Sequence, residues 1–308
     1  MPLLGKDHLS RGRGPTKALN RFLWSLGELS VISISYLLLY TRLGPTTASF
    51  FDSDCLSEPL STIRPQQANV LMFSIVIYFL KTLVWQWVYS HSNTISLAAV
   101  LFVGGFYHSF LVSSIIVPSY VVNRMPSQAE LVLVAIVEPL ALLHETLADR
   151  EMSEFKMTKK KGELLDYGYH SACRHPNYFF NSFPIGCIGL LSGSPFVGLF
   201  WVAVQVFWAC TQSGPALESY MANNYGEKWE RYCQQVPFLV PKPNRLYKIL
   251  TMQYIGDKAA KIKASGRASM FDISKDELKR LQDELKELND DDDDDVEDDD
   301  NNVHNKKD

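Results

Sequence analysis

Residues 95–122 read ISLAAVLFVGGFYHSFLVSSIIVPSYVV, without one charged side chain. A helix needs roughly 20 mostly apolar residues to cross the hydrocarbon core of a bilayer, and this stretch exceeds that. Other runs flank it. Phe22–Tyr40 carries Glu28 as its one charge, Asn69–Tyr89 holds Lys81, and Leu131–Leu147 contains Glu138, Pro139, His144 and Glu145. Tyr178–Leu191 and Pro195–Thr211 are separated by Ser192-Gly193-Ser194; the former is short and holds Pro184, Gly186 and Gly189, so it can tilt, break or re-enter. These runs predict an all-α, polytopic membrane bundle of about six spans.

Charge divides the chain. Residues 249–308 carry 10 Lys/Arg against 18 Asp/Glu, and residues 1–248 carry 20 against 16. An apolar, mildly basic body is thus joined to a polar, acidic tail. The organisation expected is a basic N-terminus (1–20), N-terminal spans (21–148), a region with the last two spans (149–248) and the tail (249–308). Lys6, Arg11, Arg13, Lys17 and Arg21 precede the first apolar run with no small-residue cleavage pattern behind it, which suits a retained signal anchor. The 149–177 loop is strongly basic, whereas Thr41–Gln67 is not. With six spans, both termini and that basic loop share one side, and the positive-inside rule makes it cytosolic.

In the tail, Ser274-Lys275-Asp276-Glu277 has the form of a capping box. Leu278, Leu281, Leu285 and Leu288 make a short stripe open to the protein's own surface, a partner helix or disorder. Asp290–Asp295 and Asp298–Asp300 form an acidic low-complexity end that repels itself and stays solvated. The five cysteines give no disulfide framework or zinc spacing. His108 and His144 stand alone, so no metal is expected, and no nucleic-acid partner either.

Chemistry concentrates in three strings. Arg174-His175-Pro176-Asn177-Tyr178 brings a guanidinium, an imidazole, an amide and a phenol to a membrane entry point. Pro176 suits the first turn of a helix whose N-terminus, with Arg174, offers positive charge to a phosphate. Taken alone, the string also reads as a snorkelling Arg and an interfacial His. Glu218 and Tyr225-Gly226-Glu227-Lys228-Trp229-Glu230-Arg231-Tyr232 follow the last span. Gly226 marks a junction, and Trp229 and Tyr232 fall on one helix face. Glu145-Thr146-Leu147-Ala148-Asp149-Arg150 places Asp149 at a membrane exit. Among intramembrane charges, Glu138 beside Pro139 suits a substrate cavity, a structural ion pair being the other reading.

In this order the strings resemble the C-terminal domain of the steroid 5-alpha-reductase superfamily. There an Ala-Asp-Arg-Gln…Phe-Lys stretch precedes Ser-Arg-His-Pro-Asn-Tyr-Phe-Gly-Glu. Here the matches are Ala148-Asp149-Arg150-Glu151…Phe155-Lys156 and Cys173–Asn181. The Tyr225–Tyr232 string is similar to the end of sterol C14 and delta-7 reductases. The resemblance implies NADPH bound in a cytosol-facing cavity and hydride transfer to a carbon–carbon double bond of a lipid or sterol-like substrate, with the endoplasmic reticulum as the usual compartment. It implies cofactor contacts from Asp149, Arg174, His175, Asn177, Tyr178, Glu218, Tyr225, Trp229 and Tyr232, with Tyr178 and His175 as the candidate catalytic groups. Phe180-Asn181 replaces the family's Gly-Glu or Gly-Asp, and Glu151 replaces Gln, which leaves open a changed substrate, a changed cofactor pose or lost catalysis. A second resemblance is to isoprenylcysteine and phospholipid methyltransferases, which use S-adenosylmethionine behind an Arg-His-Pro-x-Tyr string. Asn177 and Trp229 favour the reductase. A non-enzymatic membrane scaffold is the third reading.

Overall fold

The structure is a computed structural model that describes residues 9–11, 18–89, 93–95, 97, 100–122, 124–159, 162–251 and 253–254. The described residues all fall within 1–255, which cluster as one compact unit. The leucine stripe at Leu278–Leu288, the acidic end and most of the basic N-terminus lie outside the described residues.

The apolar runs form helices. They are α1 (Ala18–Tyr40), α2 (Pro65–Val84), α3 (His108–Ile116), α4 (Gln128–Thr158), α5 (Pro176–Leu190) and α6 (Pro195–Trp208). Helix α2 ends in a π-helical turn, Trp85–Tyr89, and a longer π segment, Val100–Tyr107, leads into α3. A third, Ala209–Ser213, joins α6 to α7 (Gly214–Tyr225); α8 (Glu227–Gln235) and α9 (Pro243–Leu250) follow. The strand pairing among the described residues is one antiparallel ladder of Leu9–Arg11 with Asn93–Ile95.

Among the described residues, five helical stretches are long and apolar enough to cross a membrane: 18–40, 65–89, 100–121, 128–158 and 195–225. The sixth expected span, α5, has 15 residues and falls short of that length. It stops at Ser192-Gly193-Ser194, where Gly193 has a φ of 87°, and it packs along α6 through close backbone approach. A Cβ on Gly189 would sit 2.7 Å from the Gly198 Cα.

Large apolar side chains point both ways. Val31, Leu71, Ile75, Phe79, Leu111, Ile115, Val134, Ile185 and Ile188 fill the interior. Phe22, Phe102, Phe106, Leu133, Phe200 and Phe207 are exposed, as expected of a bundle whose outer surface meets lipid tails rather than water. The chain is an integral membrane protein.

The end of the bundle remote from the 149–177 loop is tied by side chains to backbone carbonyls. Arg64 Nη1 donates to Ser119 O and Val122 O, both at 3.2 Å, and Gln67 Nε2 donates to Leu191 O at 2.7 Å. Helix α4 begins with a reciprocal capping box. Ser127 Oγ accepts from Glu130 N at 3.2 Å, and Glu130 Oε2 accepts from Ser127 N at 2.8 Å. Arg124 grips both Glu130 oxygens at 2.7 Å and donates to Gly193 O, which joins this start to the α5–α6 turn.

Candidate functional site

At the opposite end, the last turns of α2 and α4, the start of α5, and helices α7 and α8 surround a cavity of about 360 Å³. Eight of the residues singled out in the sequence line it: Asp149, Arg174, His175, Asn177, Tyr178, Tyr225, Trp229 and Tyr232.

His175 caps α5 and Pro176 occupies its first position. The backbone leading in is hydrogen-bonded: Arg174 N donates to Pro237 O at 2.9 Å and His175 N to Phe238 O at 3.2 Å. This pairing brings the segment after α8 against the entry to α5. The Arg174 side chain extends the same link. Its Nη1 donates to Cys233 O and Val236 O, the carbonyls closing α8, and its guanidinium lies 5.6 Å from the centre of the Phe238 ring. Arg174 therefore clamps α8 to α5 as well as presenting charge to the cavity.

Glu218 stands behind this wall and is not a lining residue. Its Oε1 lies 3.1 Å from Arg174 Nε and accepts from His175 Nε2 at 2.9 Å. His175 stacks on Tyr178 with ring centres 5.3 Å apart. Burial holds the His175 imidazole below its ordinary range, and Glu218 pulls it partly back. The His175 Nδ1 atom is buried with no hydrogen-bond partner, an orphan at the cavity wall that a ligand donor would satisfy.

Gly226 has a φ of 50°, a backbone conformation that favours glycine, and it turns the chain from α7 into α8. Trp229 and Tyr232 then pack with ring centres 5.2 Å apart and planes tilted by 40°, both buried. Tyr232 donates its hydroxyl to His170 O at 2.5 Å, and burial raises its pKa well above the usual phenol range, so it stays protonated. Burial also pushes the neighbouring Cys173 thiol up to about 12. It is an inert packing group, since a reactive cysteine needs its thiolate.

Glu151, which replaces the Gln of the resemblance, is an organiser. It is 2% exposed, and its Oε1 accepts from Tyr169 N at 2.9 Å and faces His170 Nδ1 at 3.2 Å. It thereby holds the 3-10 turn Gly168–Ser171 against α4. Phe180 does not line the cavity. It stacks on His144 with ring centres 5.1 Å apart and meets Tyr169 edge-on. The ring that stands where the family has glycine fills a separate cluster with Ala148, Ala172, Ile249 and Tyr254. Asn181 also faces elsewhere, accepting from the Tyr78 hydroxyl at 3.5 Å.

Glu138 stands apart from this cavity. It is 1% exposed and lies outside the cavity lining, in the middle of α4, and both carboxylate oxygens lack a hydrogen-bond partner. It falls 11 residues before Asp149, about 16 Å along the helix axis, too far to reach the same hollow.

Several lining residues escape the motif reading. Trp85 and Tyr89 come from the end of α2, and Ser153 and Lys159 join Lys156 of the Phe-Lys string on the Asp149 side of the cavity. Lys159 donates to the Tyr225 hydroxyl at 3.4 Å. The helical spacing Asp149, Ser153, Lys156 is visible in the sequence; the arrival of α2 is not.

Fold and site together define a polytopic helical membrane protein with a basic, aromatic-lined cavity at one end of its bundle. Residues 78–236, just over half of the chain, match a family of proteins of unknown function, DUF1295, and the chain belongs to that family. No curated protein and no solved structure matches it.

Proposed function

We propose that the cavity takes NADPH and that the protein reduces a carbon–carbon double bond in a bilayer-borne lipid or sterol-like molecule. The observation that carries this reading is convergence. The nine residues that the steroid 5-alpha-reductase resemblance points to come from three separated strings, and eight of them line one hollow while the ninth, Glu218, pairs with two of those eight.

The chemistry of the wall fits the group. Lys156, Lys159 and Arg174 supply positive charge suited to phosphates. Trp229, Tyr232 and Tyr178 supply aromatic surface for flat rings. Asp149, Asn177 and the unpartnered His175 Nδ1 supply polar contacts for ribose or amide groups. Bound NADPH would supply the hydride, and the protein would orient it. On this reading Tyr178, stacked on the Glu218-paired His175, holds the proton that completes the reduction. The basic mouth faces the cytosol by the positive-inside rule, and the endoplasmic reticulum is the compartment proposed.

S-adenosylmethionine is the rival ligand. Its sulfonium is cationic, and three basic side chains at the wall disfavour it. The test is thermal unfolding of the full chain in detergent with each ligand. NADPH at 100 times its dissociation constant adds about 2.7 kcal/mol. A shift with NADPH alone supports the reductase, a shift with S-adenosylmethionine alone replaces it with a methyltransferase, and no shift with either leaves the scaffold reading.

A further inference from the structure

Asp149 of the cavity wall belongs to a buried cluster of charges with Lys81 and Glu145. Lys81 belongs to α2, four residues before Trp85, a residue of the cavity wall. Its ammonium contacts Glu145 and stands 3.6 Å from Asp149 Oδ2. Asp149 Oδ1 accepts from Asn177 Nδ2 at 3.4 Å. The three charged side chains are 13%, 7% and 9% exposed.

Charges in this setting are costly unless paired. A structural pair needs one acid, yet Lys81 has two, spaced i and i+4 on one face of α4. One of the two, Glu145, has its second oxygen unpartnered and does not line the cavity; the other, Asp149, does. Lys81 itself is absent from the wall. The cation thus contacts one acid outside the cavity lining, Glu145, and one within it, Asp149.

We propose that Lys81 is a positioning residue for ligand binding. It fixes Asp149 as a charged acceptor at the cavity wall, with Asn177 setting the other oxygen, so that Asp149 takes hydrogen-bond donors of the bound nucleotide: a ribose hydroxyl pair or an amide NH₂. This inference rests on the nucleotide reading above. Glu145 is the counter-charge that keeps Lys81 inside the bundle.

The experiment is a double-mutant cycle on NADPH affinity, with the full chain in detergent. Lys81→Met alone leaves two buried carboxylates uncompensated, so the perturbation is Lys81→Met with Glu145→Gln, which removes one charge of each sign. It is made in the natural background and again beside Asp149→Asn, and the unfolding midpoint of each unliganded variant reports folding. The expected result is an NADPH dissociation constant weakened about tenfold in the natural background and less than about twofold beside Asp149→Asn. An equal loss in both backgrounds, which a merely structural Lys81 would give, overturns the proposal, as does no loss in the first. Absence of NADPH binding by the natural chain is seen before any variant is made; it removes the nucleotide reading and this inference with it.

Discussion

Glu28 and Asp149 are buried acids on helices of the same bundle, and their surroundings differ. Glu28, fully buried in α1, accepts from Trp24 Nε1 at 2.6 Å through one oxygen and lies 3.0 Å from His108 Nδ1 through the other. Asp149 is held by Lys81 and Asn177 but opens onto a hollow. The contrast extends to the regions around them. Near Glu28, two polar side chains at the end of α2 are answered by α1: Gln86 Nε2 donates to Arg21 O, and Trp87 Nε1 donates to Ser25 Oγ. At the cavity, His175 Nδ1 is left unanswered. Satisfied buried polar groups fix one packing, whereas unsatisfied ones ask for something outside the chain.

The comparison can be broken most forcefully at Glu28. Glu28→Ala strips a partner from both Trp24 and His108 and should cost about 3–5 kcal/mol, measured by unfolding in mixed micelles, while the protein that remains folded keeps its NADPH response. Loss of that response with little loss of stability would place Glu28 in the site instead. Arg174→Ala should remove the ligand-dependent stabilisation of about 2.7 kcal/mol expected at 100 times the dissociation constant, and it should also lower the unliganded midpoint, because the Cys233 and Val236 carbonyls lose their donor. Gly168→Ala tests the wall's support. Gly168 has a φ of 58°, and a Cβ there would run into the Glu151 carboxylate. A loss of about 1–3 kcal/mol is expected, with weaker ligand binding as the 3-10 turn shifts.

Acidification sharpens the contrast from another side. His175 is neutral in the folded chain at neutral pH, and its pKa lies below the ordinary 6.5 because of burial. The unfolded chain therefore binds the extra proton first. The contribution of His175 is fully present above pH 6.5 and drains away as pH falls from there through the folded value. The unfolding midpoint should drop between pH 7 and pH 5, and drop less in His175→Gln. The smallest effect belongs to Arg231, 69% exposed beside Glu227. Arg231→Ala should change stability by less than about 0.5 kcal/mol.

Much of the fold is legible in the sequence because bilayer-crossing helices need long apolar runs, and even the shortness of α5 can be read from its Pro and Gly content. The helix start at Ser127 is written as Ser-x-x-Glu, yet it is easily passed over beside the stronger apolar signal. The site is legible where residues are close in sequence: Arg174 to Tyr178, and Tyr225 to Tyr232. The contribution of Trp85, Tyr89 and Lys81 is not, because hydropathy says that α2 spans without saying which helix it faces. The meaning of Phe180 is hidden for a different reason. Tyr178 and Phe180 are two residues apart, so they point to opposite sides of α5. A bulky residue beside a site motif looks like an obstruction until the helix is built.

The brevity of α5 has a consequence for the surrounding lipid. Fifteen helical residues reach about 22 Å, against a hydrocarbon layer of about 30 Å. A short span is matched by local thinning of the bilayer or by snorkelling of flanking side chains, and thinning beside α5 makes a depression that draws the headgroup plane inward next to Arg174 and Asn177. An amphiphile drifting along that depression would meet the protein's polar chamber without first having to leave the leaflet.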